Sequence, residues 1–361
     1  MIKWIKIFNI IKYNYIKYGM EVIFRLYENI FETIYKSDTI YSFQIKKLLG
    51  EGGMGQVYLL KDKINVFKIS KNDTEDDIIE EARRHLYYFT KYRISHKCIP
   101  IYYGKIKNSE KSGIIFKYFG EKNLSKMDKQ SLNENKRIIL KIIEQLELFN
   151  NKIIHGDLKS SNIVIDNEIN PIIIDFGLIS DNEVNNLYTT NYITSPESLF
   201  SLEKFECCIY RDIDYMKHDY FGLFTVVINL FVKSSYWNLI KKYATERLKF
   251  HISYIQSHSS YVLFVYIWFR FNHFLKIDID DISYFYLIDK IEYYYPSLID
   301  REYYTFEEFY EDYIVPDLDY TTINVHFIPE LKIFLKNLIK LVPYERKILK
   351  DKINSSRRIT F

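Results

Sequence analysis

The sequence predicts an α+β fold in two lobes, a small antiparallel sheet lobe followed by a larger helical lobe. Three observations predict it. Between Phe43 and Phe119 the apolar residues fall in short strand-like runs around a glycine cluster. After Leu124 the apolar spacing lengthens to that of amphipathic helices. The 361 residues, 48% of them hydrophobic, also carry enough apolar side chain to fill a sizeable core.

Residues 1–42 are apolar and basic and read as an N-terminal extension, in which Trp4, Ile7, Phe8 and Ile11 fit a helical stripe packed against the domain that follows. Lys3, Lys6, Lys12 and Lys17 interrupt the unbroken apolar run that a membrane span requires, so a soluble chain is expected. Lysines flanking an apolar face also suit peripheral contact with an anionic membrane, the second reading of this segment. Leu48 and Leu49 then meet the glycines, and Val57–Leu60 and Asn65–Ile69 supply two segments able to pair as antiparallel strands. The acidic stretch Asp73–Glu81 opens a helix ending near Tyr92, with its acids at the positive end of the helix dipole. Ile114–Phe119 returns to strand character.

Beyond a hinge at Gly120–Asn123, Glu134–Asn150 places Ile138, Ile142, Leu146 and Phe149 on one helical face. Asn162–Ile165 and Pro171–Ile174 are short apolar runs. Phe221–Val232 is almost unbroken apolar sequence, too short for a bilayer, and reads as a buried helix. Tyr261–Phe271 and Ile282–Tyr295 read as helices enlarging the second lobe. The expected boundaries are therefore 1–42 for the extension, 43–120 for the sheet lobe, 121–350 for the helical lobe and 351–361 for a tail.

The formal charge is only +3, from 50 Lys and Arg against 47 Asp and Glu, which argues against a specific nucleic-acid partner. Cys98, Cys207 and Cys208 make neither a disulfide framework nor a zinc or iron–sulfur spacing, and a reducing, cytoplasmic setting follows as the expectation.

The chemistry lies in three motifs. Gly50, Gly52 and Gly55, followed by Val57, form G-x-G-x-x-G-x-V, in which bare backbone can approach phosphate oxygens and the valine can cover a flat base. A dinucleotide-binding turn would open a helix at the last glycine, whereas Gln56–Leu60 reads as strand. Lys68 follows on the next strand, within reach of nucleotide phosphates, and needs a carboxylate from the next helix. Glu81 is the first choice, with Glu80 close behind. The third motif is His155-Gly156-Asp157-Leu158-Lys159-Ser160-Ser161-Asn162, followed by Asp175-Phe176-Gly177. Phosphoryl transfer needs a carboxylate to orient the acceptor hydroxyl, a cation to meet charge on the moving group, and oxygen ligands for magnesium. Asp157, Lys159, and the pair Asn162 and Asp175 supply that set.

In this order and spacing the motifs resemble those of the eukaryotic-type protein kinases, from about Phe43 to about Lys350. The resemblance implies the two-lobed kinase fold, ATP and Mg2+ as cofactors, and protein substrates. It implies Asp157 and Lys159 as catalytic residues, Gly50, Gly52, Gly55, Val57, Lys68, Glu81 and Phe116 around the nucleotide, and Asn162 and Asp175 on the metal. Phe116 resembles the bulky residue behind the adenine, next to Lys117 where an acid is common. Ser195-Pro196-Glu197 resembles the close of the activation segment, and Pro343 and Arg346 resemble the late-domain proline and arginine. Lys159 and Thr190 resemble the serine/threonine branch.

Departures from the family pattern fall outside the nucleotide, metal and acceptor residues. Gly156 stands where an arginine usually reads an activating phosphate, which implies less dependence on that switch. Ile193 occupies a usual tyrosine position, beside Tyr192. Asp219 resembles the buried aspartate that opens the central helix, yet Phe224 falls where a glycine is normal. Two other classes compete: a pseudokinase scaffold, and a small-molecule kinase of the aminoglycoside or choline type, which shares His155-Gly156-Asp157-Leu158 but usually carries histidine where Lys159 stands. The 34 Tyr and 26 Phe, with abundant Ile, Asn and Lys, read as coding bias of an AT-rich genome such as that of a large DNA virus. Host cytoplasm or virion follows as the expected location in that case.

Overall fold

The computed structural model describes residues 23–27, 30–34, 40–52, 55–70, 76–107, 111–149, 152–181, 218–246, 306–338 and 348–354. The Trp4–Ile11 stripe, the helices expected at 261–271 and 282–295, Thr190, Tyr192, Ile193, Ser195–Glu197, Cys207, Cys208, Pro343 and Arg346 lie outside the described residues. The chain divides into two compact units, Met1–Glu121 and Lys122–Phe361.

The described residues of the first unit form a closed barrel of seven strands with one long helix. Its strands are β1 (Ile23–Tyr27), β2 (Ile30–Ile34), β3 (Ile40–Glu51), β4 (Gly55–Leu60), β5 (Asn65–Ser70), β6 (Tyr102–Lys107) and β7 (Ser112–Lys117), in spatial order β1-β2-β3-β4-β5-β7-β6. Every neighbouring pair is antiparallel except the closing one, β1 beside β6. Residues 23–42, read from the sequence as extension, thus include two whole strands and the start of a third. The physical reason is β-rich composition on both sides of a two-residue break, which brings Tyr27 opposite Ile30.

Deleting residues 1–39 would leave β6 and the first half of β3 with unpaired backbone edges. The truncated chain is expected to melt at least about 5 °C below the full chain and to aggregate on heating, read by calorimetry with light scattering. Coincident melting of the two would contradict a structural role for β1 and β2.

Cross-strand partners and alternate residues share a sheet face. One face gathers the apolar cluster of Leu60, Phe67, Ile69, Ile106 and Ile115. The other carries Gly50, Val57, Lys68 and Phe116, because Gly50 pairs with Val57, Val57 with Lys68, and Val66, two residues before Lys68, with Phe116. Helix α1 (Asp76–Lys91) lies on this second face, burying Ile78, Ile79, Ala82, His85 and Phe89 at helical spacing.

The described residues of the second unit are mainly helical. Helix α2 (Leu132–Leu148) begins at a capping box in which Ser131 and Glu134 satisfy each other's backbone N–H groups. It buries Ile138, Ile139, Ile142, Ile143 and Leu146, each worth about 1.5–3 kcal/mol relative to exposure. A hairpin of β8 (Ile163–Ile165) and β9 (Pro171–Ile173) follows. Helix α3 (His218–Phe231) is buried almost all round, and α4 (Tyr236–Glu246) packs beside it. Farther on, α5 (Phe306–Phe309) runs through a π turn at Tyr310–Ile314, before α6 (Ile328–Leu338) and α7 (Lys350–Asn354). Among the described residues no helix is long and apolar enough to cross a membrane.

Candidate active site

In the first unit the glycine motif spans the turn from β3 to β4, closed by the Gly52 N–H donating to the Gly55 carbonyl at 2.9 Å. The three glycines are there for different reasons. A Cβ at Gly55 would sit 2.3 Å from the Ile69 carbonyl oxygen, so strand packing demands glycine. At Gly50 and Gly52 a Cβ would meet nothing within 4 Å, so the protein's own packing does not require them, and the space they leave suits close approach of a ligand.

Lys68 Nζ donates to both carboxylate oxygens of Glu81, at 2.8 and 2.7 Å. The two side chains are only 11% and 1% exposed, while Glu80 faces solvent. The helical repeat decides this choice: Glu81 shares the buried face with Ile78, Ala82 and His85, and Glu80 lies off it. Phe116, buried on the same sheet face as Lys68, packs near the His85 ring at 6.3 Å between centroids. At the end of this unit Lys47 bonds Glu121 at 2.6 Å, and that hydrogen bond holds the Glu121 carboxyl below the usual carboxylate range.

In the second unit Asp157 is gripped from two sides. Lys159 Nζ lies 2.7 Å from its Oδ2, and Asn162 Nδ2 donates to the same oxygen at 3.0 Å and to the Asp157 carbonyl at 2.9 Å. Turning its amide nitrogen to Asp157 leaves Asn162 with Oδ1 as its remaining acceptor. Asn162 also carries the strand pairing onward, since its carbonyl accepts from the Ile174 N–H at 2.9 Å. The next residue, Asp175, is an exposed aspartate at φ 63°, a left-handed conformation that Asp tolerates better than most residues and that marks a constrained position.

His155, fully buried, joins the two aspartate segments. Its Nδ1 lies 3.2 Å from the Asp157 N–H and its Nε2 lies 2.9 Å from the Ile174 carbonyl. A backbone N–H must donate and a carbonyl must accept, so the network requires the neutral tautomer protonated at Nε2. Phe176 packs against the same ring at 4.7 Å. Asp157 and the residue preceding Asp175 are therefore held by opposite edges of one imidazole.

Asp219, from the first turn of α3, accepts from the backbone N–H of His155 at 2.7 Å and of Gly156 at 3.1 Å. Gly222, one turn later, lets the helix close on the loop: a Cβ there would sit 2.6 Å from the Leu158 carbonyl oxygen. The close-approach glycine of this helix is thus Gly222, while Phe224 is a fully buried core side chain packed on Tyr236. A glycine inside an otherwise apolar helical run was the signal for it.

The oxygen donors suit a hard cation: a carboxylate at Asp175 and an amide oxygen at Asn162. Among the described residues no cluster of three or more His, Cys, Asp or Glu side chains could hold a metal alone. A sparse oxygen set of this kind suits a divalent cation that takes its remaining ligands from elsewhere than the protein.

Known proteins place these units in context. The family model of the protein kinase domain matches residues 43–353. The carbon catabolite-derepressing protein kinase of Saccharomyces cerevisiae is 31% identical over 149 residues, covering 38% of this chain and 23% of that protein. Cysteine-rich receptor-like protein kinase 42 of Arabidopsis thaliana is 32% identical over 161 residues, 41% of this chain and 24% of its own length. The probable serine/threonine-protein kinase samkA of Dictyostelium discoideum is 33% identical over 132 residues, 35% of this chain and 19% of its own. The chain thus spans less than a quarter of each of these relatives. The family match, by contrast, runs from the sheet that carries Lys68 through the loop that carries Asp157 to the last described helix, and the chain belongs to the protein kinase family.

Proposed function

We propose that this chain transfers the γ-phosphoryl group of ATP to serine or threonine hydroxyls of proteins. The observation that carries the reading is the linkage of Asp157 to the Asp175 segment through His155, with Lys159 and Asn162 both on the Asp157 carboxylate. In this reading a bond forms between the acceptor oxygen and the γ-phosphorus as the bond to the β-phosphate oxygen breaks, and the acceptor's proton passes to the Asp157 carboxylate. Lys159 places positive charge beside the moving phosphoryl group, where it is worth most at the transition state. Lys68, fixed by Glu81, holds nucleotide phosphates. Gly50, Gly52 and Gly55 line the phosphate path, and Val57 and Phe116 bound the adenine. Asn162 and Asp175 would hold Mg2+, which when bound would neutralise negative charge on the phosphates.

Serine/threonine preference is supported by Lys159, two residues after Asp157, and by the Dictyostelium relative, named as a probable serine/threonine-protein kinase. A reducing, cytoplasmic setting belongs to the same proposal and rests on the three cysteines, whose spacing makes no disulfide framework. The test is acceptor identity. With radiolabelled ATP and Mg2+, a mixed protein acceptor is expected to yield phosphoserine and phosphothreonine, with no transfer to aminoglycosides or choline. Label found only in small alcohols, or in phosphotyrosine alone, would overturn the assignment.

A further inference from the structure

Gly156 lies between His155 and Asp157, and nothing in its immediate chemistry requires a missing side chain. Its surroundings do. The residue is buried, its φ is 81°, and a Cβ added there would sit 2.7 Å from the carbonyl oxygen of Leu178 and 3.2 Å from the Leu178 Cβ. The nearest obstacle is backbone, which cannot swing aside as a flexible side chain can. The Gly156 N–H is meanwhile tied to Asp219, itself only 4% exposed, so the residue cannot retreat without breaking a bond to a buried carboxylate. Two residues earlier, Ile154 and Ser180 exchange backbone hydrogen bonds of 2.8 and 3.1 Å.

The segments carrying Asp157 and Asp175 are therefore laced at two places, the Ile154–Ser180 bridge and the His155 imidazole, and beside them Gly156 faces Leu178 so closely that an added Cβ would strike its carbonyl oxygen. We propose that Gly156 is a positioning residue: its left-handed backbone and bare Cα set the spacing between the Asp157 and Asp175 segments. Its absent side chain is thus a packing requirement of this loop, in addition to the loss of a phosphate-reading group. The inference rests on the phosphotransfer reading for its catalytic consequence, but its structural half stands apart from it.

The test compares the full-length chain with Gly156→Ala and Gly156→Asn. Alanine meets both the positive φ and the Leu178 carbonyl. Asparagine tolerates positive φ but still carries a Cβ, and serves as the second variant should alanine prevent folding. For a folded variant, a displacement of the order of 1 Å between the two segments is expected to lower kcat by about 10²-fold and to raise the free Mg2+ needed for half-maximal turnover. KM for the protein acceptor should stay close to the parent value, which a general loss of folded protein would not by itself distinguish from a fall in kcat but the Mg2+ shift does. Hydrogen exchange of the Asp157 amide, bonded to His155, should quicken in the same variant. A folded variant with parental kcat, Mg2+ midpoint and Asp157 exchange overturns the proposal. If the parent transfers no phosphoryl group, the functional reading fails, and amide exchange alone then decides the positioning role: quickened exchange supports it and unchanged exchange refutes it.

Discussion

Asp157→Ala is expected to lower kcat for protein-hydroxyl phosphorylation by about 10²–10⁴-fold, the span typical of a lost acid–base group. Besides its proposed role as proton acceptor, the carboxylate is the common anchor of Lys159 and Asn162, so its removal also takes an ion pair from the one and a hydrogen bond from the other. In the proposed reading Lys68, not Asp157, holds the nucleotide phosphates, so KM for ATP should stay close to the parent value. Steady-state kinetics against one protein acceptor separate the two constants. An unchanged kcat would remove Asp157 from the mechanism.

Lys68→Met is expected to cost both stability and turnover. Glu81 is 1% exposed, and taking away its lysine leaves a buried carboxylate without the cation that both its oxygens now meet, a loss of about 3–5 kcal/mol in comparable buried pairs. The double variant Lys68→Met/Glu81→Leu separates the two effects. Replacing a buried ion pair by apolar side chains is often neutral for folding, so its melting temperature should return toward that of the parent. Turnover should not return, because no cation remains to hold the phosphates. Recovery of both would mean that the pair serves only the fold.

Much of this was legible in the sequence because the relevant signals are local. The glycine motif, Lys68 and the His155–Asn162 loop lie on short segments whose spacing survives translation into structure. The choice between Glu81 and Glu80 needed the face of α1, which is set by packing on the sheet rather than by either glutamate's neighbours. Strands β1 and β2 were hidden for a different reason. Their composition is β-rich and they pair with each other across a two-residue break, but the apolar and basic residues before them read as a helical extension, and only the closing pair of β1 with β6 spans a distance that leaves no local mark. Gly156 was legible as a missing arginine but not as a packing position, and Gly222 carried no role in the sequence. What each glycine avoids is a carbonyl oxygen on another segment, at Leu178 and Leu158, and only the folded backbone brings those oxygens near.

The most direct measurement is transfer of label from γ-labelled ATP to a protein acceptor in a single-turnover experiment with Mg2+, run on the parent chain, Asp157→Ala and Asp175→Asn side by side. The account predicts labelled acceptor from the parent, and losses on the order of 10²-fold or more in both variants, one through the acceptor hydroxyl and the other through the metal. Equal labelling by all three proteins, or none by the folded parent, would contradict it.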